Sequence, residues 1–223
     1  MTRSDPLVRF RRSSRARRVS LRLDPADGSV IITLPPDASE AKALDWMRAN
    51  TTWIARQRAA LPRPSALAHG GTIPFQGALL TIVHRPDASR GIHQDETTLT
   101  LGGDPATIPS RLLTWLKGQA TLILPASLGR WSQEMNAHPA SLTLRDVRSR
   151  WGSCSHEGRI MLSWRLVMAP PPVRDYVIVH ELAHLTHFDH SPAFWAHVER
   201  FCPVRARSEA WLRTHGRALL AIG

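Results

Sequence analysis

The chain has 223 residues, of which 43% are hydrophobic and 21% charged, and this balance is ordinary for a globular protein with a sizeable core. The formal net charge of +11 favours anionic partners such as nucleic acid or nucleotides, although a solvated, arginine-rich surface gives the same total. Two cysteines cannot form a disulfide-rich scaffold, and the sequence has no Cys-x-x-Cys pair that would bind a metal. Since no apolar run of about 18 residues is present either, we expect a cytoplasmic protein with no membrane partner.

The N-terminal part of the chain predicts two strands. Apolar and polar residues alternate over 19–23, and Val30–Leu34 is a short β-rich run. Asp27-Gly28, between them, is typical of a hairpin turn. The arginines that precede residue 19 are therefore expected on or just before a strand.

A long helix is predicted after these strands, over residues 38–61. Asp37 and Glu40 have the spacing of a helix-capping pair at its start. Trp46 and Trp53 are seven residues apart, so both are expected to cover the same face of the sheet as large core residues.

The middle of the chain predicts short strands between residues 72 and 101, most clearly at 79–84 and 97–101. A second helix is predicted over 110–136, and Pro125 should bend it or split it in two because proline removes a helical hydrogen bond. Loops rich in glycine and proline separate these elements, and the sequence shows no internal repeat.

The last third of the chain predicts two strands and three helices. The strands are expected at 142–147 and 159–166, joined by a turn at 151–154, and the helices from 173 onward, at 191–201 and at 204–220. We divide the chain by composition into a β-rich N-terminal region with one long helix, residues 1–105, and a catalytic region, residues 106–223. Both are expected in one compact unit.

The chemistry is indicated by His180-Glu181-Leu182-Ala183-His184, which matches the pattern H-E-x-x-H. On a helix, His180 and His184 lie on one face one turn apart, so both imidazoles can bind one zinc ion at about 2.0–2.1 Å. Glu181 is turned about 100° away and is placed to reach a water on the metal rather than the metal itself.

The third metal ligand has to follow a break in the helix. His187 lies about 10 Å from His180 along a straight helix, too far for one ion. The residue before Pro192 is disfavoured in helical conformation, so the helix should end before His190 and let its ring turn back. His190 is the predicted third ligand. Glu199 is the alternative third ligand, since some zinc enzymes with an H-E-x-x-H motif take a glutamate from the next helix.

Three protein ligands leave one position on the metal for water, as in catalytic rather than structural zinc sites. The sequence therefore predicts a hydrolase with one Zn²⁺ per chain, most consistent with a peptidase in which Glu181 activates the zinc-bound water. Two alternatives stay open. The same site could hydrolyse nucleotides or other phosphoesters, as a nucleoside triphosphate pyrophosphatase does. Arginine side chains would then bind the phosphate groups. The site could also hold a structural metal in a non-enzymatic binding module.

Two segments of the chain resemble a known family. They are Arg148-Ser149-Arg150-Trp151-Gly152-Ser153-Cys154-Ser155 and the H-E-x-x-H motif with His190-Ser191-Pro192-Ala193-Phe194-Trp195. With them the chain resembles the YgjP-like metallopeptidase family, which is related to SprT-like zincins. The resemblance implies an α+β fold, a zincin-like metallopeptidase core with N-terminal β-strands packed against helices. It also implies metal ligands at His180, His184 and His190, and a peptide or protein substrate.

The resemblance further implies that the segment around Trp151 lies near the cleft. Arg148, Arg150 and Trp151 are therefore candidate substrate-binding residues, and an equal alternative is a buried turn that only supports the helix. Cys154 could approach the zinc, but a small core thiol is the simpler interpretation. SprT-like relatives act on protein bound to DNA, and DNA dependence is a hypothesis here because the sequence has no recognisable nucleic-acid module.

Overall fold

The computed structural model describes residues 8–24, 29–59 and 67–223, and the predicted turn at Asp27-Gly28 lies outside them. Within the described residues the protein is a mixed α+β fold with three sheets and six helices, which confirms the predicted fold class. By packing, the chain forms two compact units, Met1–Pro64 with Ala221–Gly223, and Ser65–Leu220. The division of the chain into a β-rich region, residues 1–105, and a catalytic region, residues 106–223, stays a prediction.

The N-terminal unit contains a three-stranded sheet. Its strands are β1 (Val8–Arg12), β2 (Ser20–Leu23) and β3 (Val30–Leu34), in the order β1-β3-β2. β1 pairs parallel with the central β3, and β2 pairs antiparallel with it. The sequence prediction missed β1, because four of its five residues are exposed and it lacks the alternation that indicates a half-buried strand.

Two helices, rather than the one predicted, follow this sheet. α1 (Glu40–Ala49) begins after Ser39, whose side chain accepts a hydrogen bond from the backbone N–H of Lys42, so Asp37 is not the cap. α2 (Thr51–Ala59) is separated from α1 by Asn50, where φ is −108° and ψ is 21°. The prediction of a continuous helix is therefore wrong.

The face of these helices that covers the sheet is set by Ala43, Met47 and Ile54, which pack on the buried residues of β2 and β3. Trp46 and Trp53 each precede one of these positions, which turns them about 100° away from the sheet. They are 44% and 42% exposed, so the prediction that they fill the core is wrong.

The larger unit begins with a four-stranded sheet. Its strands are β4 (Thr72–Phe75), β5 (Ala78–His84), β6 (Ile92–Gln94) and β7 (Thr98–Leu101), in the order β4-β5-β7-β6. β5 and β7 pair parallel, and the two edge strands pair antiparallel with their neighbours. The positions agree with the strands predicted between residues 72 and 101.

The next element, α3 (Ile108–Glu134), is one helix of 27 residues that continues through Pro125. Of the two outcomes predicted at Pro125, a bend or a split, the split is therefore wrong. Apolar residues at four-residue intervals, from Leu112 and Leu116 to Leu124 and Leu128, are buried along one side of α3. This packing holds the helix together where proline removes one hydrogen bond.

The last part of this unit consists of three strands and three helices. They are β8 (Ser141–Arg145), β9 (Gly152–Cys154), β10 (Arg159–Ser163), α4 (Pro171–Ala183), α5 (Pro192–Phe201) and α6 (Arg205–Leu220). β10 is central, parallel to β8 and antiparallel to β9, so the predicted turn at 151–154 is an edge strand. α4 contacts α3, α5, α6 and β9, and it is the most enclosed helix of this unit. None of the helices in the described ranges is both long and apolar enough to span a bilayer.

We expect Leu182→Ala to lower the free energy of unfolding by about 2–5 kcal/mol, because Leu182 is fully buried on α4 and its truncation leaves a cavity. Leu122→Ala is the matched control, since Leu122 is 68% exposed on α3 and should change stability by about 0.5 kcal/mol or less. Urea denaturation of both variants measures the difference. Equal losses would contradict the burial of α4.

Candidate metal centre

The candidate metal centre lies where α4 ends. His180 is in the last turn of α4, and His184 is the residue that caps its C-terminus. The chain then turns tightly, with the backbone N–H groups of Thr186 and His187 both bonded to the carbonyl of Ala183. α4 therefore ends before His190, as predicted, but its last residue is Ala183, just ahead of the predicted interval from His184 to His190.

The turn is completed by the start of α5. Ser191 caps this helix and accepts a hydrogen bond from the N–H of Phe194, with Pro192 in its first turn. Because His190 directly precedes this cap, its position is fixed by the entry into α5. The ring is directed back towards α4.

The three predicted ligands are brought together. One side-chain nitrogen from each of His180, His184 and His190 lies within 4.8 Å of the other two, and Nε2 of His190 lies 3.2 Å from Nε2 of His180. Two Zn–N bonds of about 2.1 Å at a tetrahedral angle separate their nitrogens by about 3.4 Å. Among the described residues, no other set of three His, Cys, Asp or Glu side chains is grouped in this way.

The protonation of the rings also suits a metal. Nδ1 of His184 lies 3.0 Å from the carbonyl oxygen of His187, so this nitrogen donates its proton and leaves Nε2 free to bind. Burial, with His184 and His190 nearby, lowers the pKa of His180 to about 4. Its ring is therefore neutral at pH 7, the form that binds metal ions.

His187 and Glu199, the two other positions considered for the third ligand, make different contacts. His187 supplies its backbone carbonyl to His184, while its own ring lies against that of His197. The carboxylate of Glu199 is paired with Arg205 at 2.7 Å and is not part of the histidine group.

Glu181 lies buried at the side of the histidines, only 6% exposed. Burial raises the pKa of its carboxyl to about 7, although nearby Arg150 acts in the opposite direction. The carboxylate rests against the backbone of Gly152 on β9. A Cβ atom added at Gly152 would lie 2.5 Å from Oε1 of Glu181, so a larger residue there displaces the carboxylate.

A cleft of about 290 Å³ opens beside Glu181. Its walls include Arg150, Trp151, Tyr176, His180 and Leu212. Of the three candidate substrate-binding residues, Arg150 and Trp151 line this cleft, whereas Arg148 is half-buried and does not.

Trp151 also has a structural role. Its carbonyl accepts a hydrogen bond from the N–H of Ser163, and its ring touches α6 at Gly216, where an added Cβ would lie 3.2 Å from the indole. The two interpretations of this residue are therefore compatible.

Sequence reasoning missed Tyr176, which is one turn before His180 on the same helical face. Its hydroxyl donates a hydrogen bond to Glu209 at 2.9 Å, and burial followed by this contact raises the pKa of the phenol well above its ordinary value. Glu209 is held in turn by Arg205, which also pairs with Glu199. In the sequence, the four-residue interval from Tyr176 to His180 was the one feature that could have placed Tyr176 beside the histidines.

A family model and a solved structure match this chain. The family described as "YgjP-like, metallopeptidase domain" matches residues 17–215, most of the chain. A crystal structure of the metallopeptidase zymogen of abylysin from Pyrococcus abyssi is 24% identical and covers 43% of this chain and 94% of that one, with a TM-score of 0.37. No significant match is found among curated proteins. From the family match over residues 17–215, the chain belongs to the YgjP-like metallopeptidase family.

Proposed function

We propose that this chain is a zinc-dependent peptidase in which His180, His184 and His190 bind one Zn²⁺ and Glu181 is the general base. The observation that supports it best is the convergence of three imidazole nitrogens within 4.8 Å, beside a buried carboxylate on the same helix. Membership of a metallopeptidase family supports the reaction class.

The donor set favours zinc over other metals. Three imidazoles without a carboxylate or thiolate suit a borderline cation, whereas Mg²⁺ and Ca²⁺ prefer oxygen ligands. When bound, zinc supplies a Lewis acid that polarises the scissile carbonyl and acidifies water.

The protein's own contribution to catalysis is the placement of Glu181. This carboxylate accepts a proton from the attacking water and returns it to the leaving amine. Its burial keeps bulk water away, and the missing side chain of Gly152 leaves room for it beside β9. His180, the residue before Glu181 on α4, is one of the three side chains that would hold the metal beside this carboxylate.

A peptide substrate is supported by the edge position of β9. In the described sheet this strand pairs only with β10, and it contacts α4 at the cleft. An extended peptide can add to such an edge through backbone hydrogen bonds, with its side chains in neighbouring pockets. Arg150 and Trp151 are placed to contact those side chains.

A second candidate, hydrolysis of nucleoside triphosphates, draws on another hollow of about 430 Å³ on the open face of the β8-β10-β9 sheet. It is lined by Arg145, Arg150 and Arg159. Guanidinium groups bind phosphate through bidentate hydrogen bonds. Arg150 also lines the cleft beside Glu181. Phosphoryl transfer, however, commonly uses two metals, and the single histidine group favours peptide hydrolysis.

We expect Glu181→Gln to retain one zinc per chain while kcat for peptide cleavage falls by about 10²–10⁴-fold, because the amide cannot accept the proton. Elemental analysis together with cleavage of a peptide library measures both quantities. Glu134→Gln is the matched control, since Glu134 is exposed at the end of α3, outside the histidine group, and should leave both unchanged.

Full peptidase activity in Glu181→Gln would show that the general-base assignment is wrong. Release of pyrophosphate from nucleoside triphosphates by the wild-type protein, without any peptide cleavage, would replace the peptidase with the second candidate.

We expect Gly152→Ala to lower kcat by about tenfold or more with KM and zinc content nearly unchanged, because the added methyl group displaces the carboxylate of Glu181. Gly118→Ala is the control, since a Cβ atom at this position on α3 meets nothing within 4 Å. Steady-state kinetics of the two variants measure the effect. A Gly152→Ala enzyme with wild-type kcat would mean that the position of Glu181 does not limit the reaction.

A further inference from the structure

The positive charge of the protein is concentrated in the N-terminal unit. Its 48 described residues before residue 60, which are 8–24 and 29–59, have eleven Lys or Arg against four Asp or Glu, a net of +7. Residues 67–223 have sixteen against twelve, a net of +4 over three times the length. An arginine-rich composition spread evenly over the surface would not produce this segregation.

The strand register places part of this charge on one side of the sheet. α1 and α2 cover the side that contains the buried residues of β2 and β3. On the opposite side, Arg9, Ile31 and Arg22 form one row across the three strands. Arg11 lies beside Thr33 in the next row. The side chains in these rows point away from the helices because alternate residues of a strand face opposite sides.

The loop from β1 to β2 adds further arginines. We define the arginine face as six exposed residues: Arg9, Arg11, Arg15, Arg17, Arg18 and Arg22. Arg9 pairs with Asp24 at 3.5 Å. The other five make no ion pair with any acidic side chain in the described part of the chain, so no described carboxylate neutralises their charge.

We propose that the arginine face binds the phosphate backbone of double-stranded nucleic acid. Rows of residues on one side of a strand are about 6.7 Å apart, and β1 lies about 9.6 Å from β2 across β3. This array is too extended for one small anion, and it suits a polymer with a phosphate every 3.4 Å along each strand. Arginine binds phosphate oxygens through a planar fork of N–H donors.

The chemistry of the face favours nucleic acid over an anionic membrane. Ile31 is the one apolar residue in its two rows, and it is only partly exposed. A surface that inserts into a membrane interface adds apolar or aromatic anchors to its basic residues. Phe10 pairs with Ile32 and is therefore on the helix-covered side. The absence of aromatic residues from these rows also predicts backbone contacts without base stacking, hence little dependence on sequence.

The test measures anisotropy of a fluorescently labelled 20-base-pair DNA duplex titrated with the full chain at several salt concentrations. We expect the triple variant Arg9→Gln/Arg11→Gln/Arg22→Gln to raise Kd at least about tenfold at 0.1 M salt. The slope of log K against log salt should decrease in magnitude by about 2–3, since each phosphate contact contributes about 0.9.

The matched control is Arg85→Gln/Arg90→Gln/Arg207→Gln, which removes the same charge from exposed positions of the larger unit. It should change Kd less than about threefold. Both triple variants should keep the wild-type unfolding midpoint and peptide cleavage, because the substituted side chains are exposed and lie outside the proposed metal site.

Three results would overturn the proposal. The wild-type chain could fail to bind the duplex at 0.1 M salt. The two triple variants could weaken binding equally, which would mean that net charge alone attracts the DNA. The chain could bind vesicles containing phosphatidylserine while failing to bind DNA, in which case the face is a membrane surface.

Discussion

The candidate centre depends on where α4 ends. A straight helix brings two histidines of one face to a single ion, but a third on the same face lies about 10 Å from the first along the axis. Here α4 stops at Ala183, the chain turns, and α5 begins at Pro192, so the ring of His190 returns to that of His180. The tightly bonded turn after Ala183 makes this return possible.

The surrounding fold holds this arrangement in place. α4 is enclosed by three helices and by the edge strand β9, which also forms the support for Glu181. Tyr176 on α4 is linked through Glu209 and Arg205 to Glu199, so hydrogen bonds and ion pairs connect α4, α6 and α5. Such outer contacts restrict the orientation of the groups that bind metal or substrate. A buried carboxylate at a defined place, as at Glu181, suits reactions in which charge develops at a fixed position.

Much of this site could be predicted from the sequence because its determinants are local. The H-E-x-x-H spacing, the Ser191-Pro192 helix start and the restriction that proline places on the preceding residue are all readable without tertiary structure. The roles of Gly152 and Tyr176 could not be read in the same way. Gly152 matters because a distant helix places Glu181 against it, and Tyr176 because α6 presents Glu209 to it.

The fold shows the same division between local and tertiary information. Strands with clear alternation were predicted, whereas β1 forms because the edge of β3 offers it a parallel partner. The exposure of Trp46 and Trp53 follows from which helical face meets the sheet, and hydrophobicity alone cannot decide that. The continuity of α3 through Pro125 likewise depends on its buried side, not on local propensity.

X-ray absorption at the zinc edge identifies the atoms that bind the ion. For the purified chain loaded with zinc, we expect one tightly held ion per chain with three imidazole nitrogens at about 2.0–2.1 Å and no sulfur ligand. A shell with fewer than three imidazoles, or one containing the thiolate of Cys154, would contradict this expectation.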